Sequence, residues 1–84
     1  MIKTYKPRDD AQVEAMLFDS STAMDALKWA GDSLRGRTSR TWLVDTLEGW
    51  VDIPFGHYLI KGTHGEFYPC DPDVFEKRWQ EAAE

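Results

Sequence analysis

The chain has 84 residues, the length of a single domain (residues 1–84) with no room for a second hydrophobic core. Its 42% hydrophobic and 13% aromatic content excludes a disordered segment, and its net charge of −5 argues against a general nucleic-acid binder, which needs a basic surface. One cysteine excludes an intramolecular disulfide and is typical of a reducing compartment, and we expect no membrane span because no run of about 18 apolar residues occurs.

The first predicted strand covers residues 12–19, where apolar side chains occupy both alternating faces. A short helix follows and ends at Ala30, with an apolar stripe formed by Ala23, Leu27 and Ala30. Thr22 with Asp25 three residues later resembles a capping box, which predicts the start of this helix. Gly31 stands where helices commonly end in a residue of positive φ.

Residues 33–40 are polar and basic and predict a loop, with a short strand at residues 33–35. Residues 41–47 are rich in strand-forming side chains, and Glu48-Gly49 predicts a tight turn into a strand at residues 50–53. This register places Trp50 opposite Leu47 and puts Trp42 on the other face of the hairpin.

Two further strands are predicted at residues 57–61 and 66–70, joined by a turn that contains two glycines. A helix is predicted from residue 72 to about residue 83, because Asp71 suits the N-cap and Pro72 suits the first helical position. Phe75 and Trp79 are one helical turn apart and would form its apolar stripe. The predicted fold is therefore α+β: a small curved antiparallel sheet, in the order β-α-β-β-β-β-α, with a C-terminal helix packed on it.

Four segments of the chain carry a recognisable pattern: VEA at 13–15, TLEG at 46–49, YLIKG at 58–62 and GEFYPCDPDVFE at 65–76. In these segments the chain resembles a family of small uncharacterised proteins encoded by tailed bacteriophages and prophages. The chain departs from the family pattern at Phe55-Gly56-His57, where the family has Pro-Gly-Asp, and at Asp71, where many members have lysine. The resemblance implies a phage accessory protein in the host cytoplasm, and it implies no activity or cofactor.

Cys70, together with His57 and His64, has the residue types of a thiol nucleophile with its base, or of a zinc site. A single cysteine is more often a small buried hydrophobic residue, and gaps of seven and six residues are unlike the close ligand pairs of structural zinc sites. We therefore expect no enzyme, no metal and no cofactor, with a reactive thiol as the alternative reading of the cysteine.

Arginine and tryptophan dominate protein-binding hot spots, and the three arginines are predicted to lie in an exposed loop. The alternative is that the tryptophans belong to the core and the arginines only keep the surface soluble. The candidate partner-binding residues are Arg35, Arg37, Arg40, Trp29, Trp42 and Trp50. The leading hypothesis is a non-enzymatic protein that binds a host or phage protein. The alternatives are capture of a small ligand such as a nucleotide signal of host defence, and a minor structural subunit of the virion that forms homo-oligomers.

Overall fold

The computed structural model describes residues 2–7 and 12–81, in which two antiparallel sheets and two helices form one α+β unit. The larger sheet contains β1 (Lys3–Pro7), β2 (Val13–Phe18), β6 (His57–Lys61), β7 (Phe67–Cys70) and β8 (Trp79–Glu81), in the order β7-β6-β2-β1-β8. The smaller sheet contains β3 (Leu34–Gly36), β4 (Trp42–Thr46) and β5 (Gly49–Asp52), with β4 in the centre. The helices are α1 (Ala23–Ala30) and α2 (Pro72–Arg78).

The main core lies between the two sheets, with α1 closing one side of it. Met16 and Phe18 point from β2 into this core and are almost completely buried. Val44 of the small sheet and Ala26 of α1 belong to the same cluster and have no exposed surface. The alternation predicted for the first strand is confirmed, and both faces of β2 are buried because a second core lies behind it.

The expectation that the chain has no room for a second hydrophobic core was wrong, because a second core lies on the opposite face of the large sheet and is covered by α2. Val13 and Ala15 of β2 and Ile60 of β6 are buried there against Phe75 of α2. Partly buried aromatic side chains from three other positions surround them: Tyr5, Tyr58 and Tyr68. The predicted packing of the C-terminal helix on the sheet is therefore confirmed.

The turn that starts α1 differs from the predicted capping box. Thr22 makes no side-chain cap, and its hydroxyl donates instead to the carbonyl oxygen of Leu17 at 2.8 Å. The carboxylate of Asp19 organises the turn, because its Oδ1 accepts from the Ser21 N–H at 2.8 Å and the Thr22 N–H at 3.1 Å. An Asx-type turn therefore replaces the capping box.

The C-terminal helix begins as predicted and ends early. Asp71 Oδ1 accepts from the N–H of Asp73 at 2.8 Å, and Pro72 occupies the first turn. The helix ends at Arg78, and Trp79 has an extended backbone, with φ −122° and ψ 152°. The prediction of a helix to about residue 83 was wrong over residues 79–81, which form β8, and residues 82–83 lie outside the described residues.

β8 pairs with β1, and the sequence predicted neither of these two strands. Tyr5 lies opposite Glu81, and Pro7 lies opposite Trp79. Extending α2 would leave the edge of β1 that faces away from β2 without a partner, so the strand pairing of residues 79–81 competes with the helix. No helix in the described part of the chain is both long enough and apolar enough to cross a membrane.

Candidate functional site

The outer face of the small sheet carries two of the candidate residues. Arg35 of β3 pairs with Leu43 of β4, and Trp50 of β5 pairs with Asp45 of β4. Because side chains alternate along a strand, Arg35, Trp50 and the side chains opposite them share the face that points away from the core. Asp52 joins them, since it also lies opposite Leu43.

Arg35 and Trp50 meet above the central strand. The guanidinium carbon of Arg35 lies 4.6 Å from the centre of the Trp50 indole ring, which is within the distance of a cation–π contact. Both side chains are exposed, and Trp50 keeps 40% of its surface accessible. The guanidinium lies over the ring, and no hydrogen bond or ion pair engages its donors within the described residues.

The predicted position of Trp50 opposite Leu47 was wrong. The turn residues are Leu47 and Glu48, so that Gly49 pairs with Thr46 and Trp50 lies opposite Asp45. The Thr46 hydroxyl fixes this register, because it accepts from the Glu48 N–H at 3.0 Å and donates to the Gly49 carbonyl at 2.8 Å. The predicted face of Trp50 is nevertheless correct, because the register differs by an even number of positions.

The loop between β3 and β4 carries Arg37 and Arg40 and is closed by its own hydrogen bonds. The hydroxyl of Thr38 accepts from the backbone N–H groups of Arg40 and Thr41, each at 3.1 Å. The N–H of Arg37 donates to the carbonyl oxygen of Thr41 at 2.8 Å. The two arginines are therefore presented by an ordered turn, with both side chains exposed.

A cavity of about 220 Å³ lies between this loop and the end of β5. Its polar walls are Arg37, Arg40 and Asp52, and its apolar walls include Trp42 and Pro54. Within the described residues, neither arginine has a carboxylate within 4.0 Å, so their donors are not engaged in ion pairs. The cavity is therefore lined by both positive and negative residues, and part of its wall is apolar.

Trp42 lies on the inner face of the small sheet, as the alternation predicts. Its ring contacts Phe18 edge to face, with 5.5 Å between the ring centres. The six-membered edge of the ring also covers Gly36, where an added Cβ would lie 3.4 Å from the indole. The indole Nε1 is buried and has no hydrogen-bond partner in the described structure. Trp42 is thus a half-buried residue that packs against the main core and forms one wall of the cavity.

Trp29 stands apart from the other five candidates. It lies on α1 with its ring edge to face against Phe67 of β7, at 5.1 Å between ring centres. Its exposed edge lines a different depression, with Ile2 and Met16. The structure therefore gathers Arg35, Arg37, Arg40, Trp42 and Trp50 on the small sheet and its loop, and it leaves Trp29 elsewhere.

Cys70 and His57 are not brought together as a nucleophile and base. Cys70 pairs with Tyr58, the residue after His57, so the thiol and the imidazole lie on opposite faces of the sheet. Burial raises the pKa of the Cys70 thiol, although nearby Arg78 partly opposes this. His57 Nε2 lies 3.8 Å from the carboxylate of Asp71 instead. Among the described residues, no three His, Cys, Asp or Glu side chains cluster as metal ligands.

Sequence reasoning missed Asp52 and Pro54 as walls of the cavity. Asp52 could have been found from the alternation of β5, because it is two residues after Trp50 and shares its face. The sequence also provided no indication of a groove of about 370 Å³ at the opposite end of the small sheet. That groove lies between the β4–β5 turn and β7 and is lined by Leu47, Tyr68 and Pro69 among others, with Leu47 83% exposed.

Comparison of the chain with protein-family models, curated proteins and solved structures found no match.

Proposed function

We propose that this protein is a non-enzymatic binding protein that captures a protein partner through an arginine–tryptophan face, defined by Arg35 and Trp50 with Arg37 and Arg40 beside them. The observation that carries the proposal is the exposed contact of Arg35 with Trp50, 4.6 Å from guanidinium carbon to ring centre. Tryptophan and arginine are the side chains most enriched among residues that dominate binding energy.

The arrangement lowers the entropic cost of binding. A free arginine loses much rotamer freedom when a partner immobilises it, whereas Arg35 is already held against a ring on a rigid sheet. Arg37 and Arg40 are presented by a loop that Thr38 closes. A planar guanidinium is suited to carboxylates, so the face fits an acidic protein surface with an apolar group that contacts the indole.

The biological setting is part of the same proposal. The resemblance of residues 65–76 to tailed-phage and prophage proteins supports a phage accessory protein that acts in the host cytoplasm on a host or phage protein. Lysates prepared before and after phage infection separate these two partner classes, because a phage partner is present only in the infected cells.

The test compares capture by matched variants. Immobilised parent protein, an Arg35→Ala/Trp50→Ala variant and a Met24→Ala/Lys28→Ala control are exposed to the same lysates, with quantitative mass spectrometry of the bound proteins. The control removes one exposed cation and one exposed apolar side chain from α1, away from the face. We expect a partner that the parent and the control retain equally and that the Arg35/Trp50 variant loses.

Binding to the purified partner then gives the decisive measurement. The affinity should fall at least about tenfold in the Arg35/Trp50 variant, and it should weaken as salt is added because charged groups contribute. A folded Arg35/Trp50 variant that binds the partner as tightly as the parent would refute the proposal.

A further inference from the structure

We propose that the cavity beneath the β3–β4 loop is a subsite for one carboxylate, supplied by an acidic side chain of the partner. The inference rests on the proposed function for the identity of the occupant, and it adds the chemistry that the partner must present. The cavity is lined by Arg37, Arg40, Trp42, Asp52, Ile53 and Pro54.

The two arginines supply the attraction for an anion. Both belong to an ordered loop, and in the described structure no carboxylate lies within 4.0 Å of either guanidinium. A guanidinium offers donors in a planar fork that matches the two oxygens of a carboxylate. Two such groups at the mouth of one small cavity form a site for a single anionic group.

The indole of Trp42 forms an apolar wall of the cavity. Its Nε1 is buried and has no hydrogen-bond partner among the described residues, so it is not accessible from the cavity and does not contact the carboxylate. The ring lies beside the site, and its N–H signal therefore reports a carboxylate that is seated between Arg37 and Arg40.

The size of the cavity favours a carboxylate over a nucleotide. Sites for drug-sized ligands usually measure roughly 300–1,000 Å³, whereas this cavity measures about 220 Å³ and accommodates one small group. Asp52 also lines it, so the residues around the cavity carry two positive charges and one negative charge, and one singly charged carboxylate balances the difference. Asp52 is in addition an acceptor for an amide N–H that flanks the acidic side chain of the partner.

The test uses small probes and needs no knowledge of the partner. The ¹H–¹⁵N spectrum of the full chain is recorded during titration with N-acetyl-glutamic acid α-amide, with N-acetyl-glutamine amide as the neutral isostere. Inorganic phosphate is the third probe. The indole N–H signal of Trp42 reports on the cavity, and that of Trp29, which lies on α1, is the internal reference.

We expect the glutamic acid probe to shift the Trp42 signal in a saturable manner while the Trp29 signal stays in place. Arg37→Ala/Arg40→Ala should weaken this binding at least about tenfold, because charge-assisted hydrogen bonds are lost. Trp42→Phe keeps an aromatic wall and removes the buried N–H, so binding should stay close to that of the parent, read from the arginine side-chain signals.

Three results would overturn the inference: no saturable shift with the glutamic acid probe, an equal shift with the glutamine probe, or tighter binding of phosphate.

Failure of the carboxylate subsite is distinguishable from failure of the proposed function. If the Arg35/Trp50 variant loses the partner while the probes do not bind, only the carboxylate subsite is refuted. If the probes bind as expected and the Arg35/Trp50 variant keeps its partner, only the arginine–tryptophan face is refuted.

Discussion

The rings of Tyr58 and Phe75 stack face to face, with 3.8 Å between their centres and 12° between their planes. This contact joins α2 to β6 across the second core. Tyr5 from β1 contacts Phe75 edge to face, at 4.7 Å between ring centres. Phe75, only 2% exposed, is therefore the side chain through which the short helix is attached to two strands of the large sheet.

Replacing Phe75 by alanine should destabilise the protein severely. Removal of a buried phenylalanine costs about 3–5 kcal/mol, which is comparable to the total stability of many small domains. The matched control is Val74→Ala on the same helix, where the side chain is 50% exposed and the expected change is below about 1 kcal/mol. Urea unfolding followed by fluorescence measures both. Equal stability of the two variants would show that α2 is peripheral.

Arg35 and Trp50 should be energetically coupled in the free protein. A double-mutant cycle of Arg35→Ala and Trp50→Ala should give a coupling of about 0.5–1 kcal/mol, the range of exposed cation–π contacts. The same cycle with Arg37 in place of Arg35 should give a value near zero, because Arg37 has no contact with the indole. No measurable coupling for the first pair would mean that the ring does not hold the guanidinium in solution.

Asp19 should make the stability of the protein depend on pH in the acid range. Hydrogen bonds from Ser21, first from its hydroxyl and then from its backbone N–H, hold the pKa of Asp19 below its ordinary value of 3.8. The folded state thus favours the charged form, and this stabilisation is complete above the unfolded pKa and lost as pH falls through the lower folded pKa.

An Asp19→Asn variant should therefore lose less stability than the parent between about pH 5 and about pH 2. Urea midpoints at several pH values measure the difference. Asp32→Asn, which removes one exposed carboxylate from the turn after α1, is the control and should follow the parent. Parallel curves for the parent and the Asp19 variant would contradict the role assigned to this carboxylate.

Cys70 should react slowly with thiol reagents in the folded protein. Burial raises the pKa of the thiol above its ordinary value of 9.0, so little thiolate is present near neutral pH. Alkylation by iodoacetamide should be slower than in the urea-unfolded chain, and its pH profile should have a midpoint above 9.0. Alkylation at neutral pH that is faster than in the unfolded chain would restore the reactive-thiol interpretation.

Local signals in the sequence predicted much of the fold because their causes are local. Asp71 and Pro72 predict the start of α2, since both act on backbone groups of the next turn. The strands of the small sheet and β6 and β7 were predicted from alternation and turn residues. These elements agree with the structure to within one or two residues at their ends.

The parts that could not be predicted depend on contacts between distant residues. The spacing of Phe75 and Trp79 fits a continuous helix, and the two rings do contact each other at 6.4 Å between centres. Only the presence of β1 as a partner decides that Trp79 is in a strand. The cavity is likewise lined by the loop that carries Arg37 and Arg40 and by Asp52 and Pro54 of a different segment. Their positions in the sequence do not predict that these two segments line the same cavity.

The pairing of β1 with β8 affects when the molecule can complete its fold. Tyr5 lies opposite Glu81, and these two residues are close to the two ends of the described part of the chain. Their pairing therefore closes a loop that contains nearly all of the described residues. Such closure is slow and entropically expensive compared with hairpin formation. On a ribosome, β1 is synthesised before β8, so the outer backbone groups of β1 stay unpaired until β8 has left the exit tunnel. During that time they form an edge to which the strand of another chain can add.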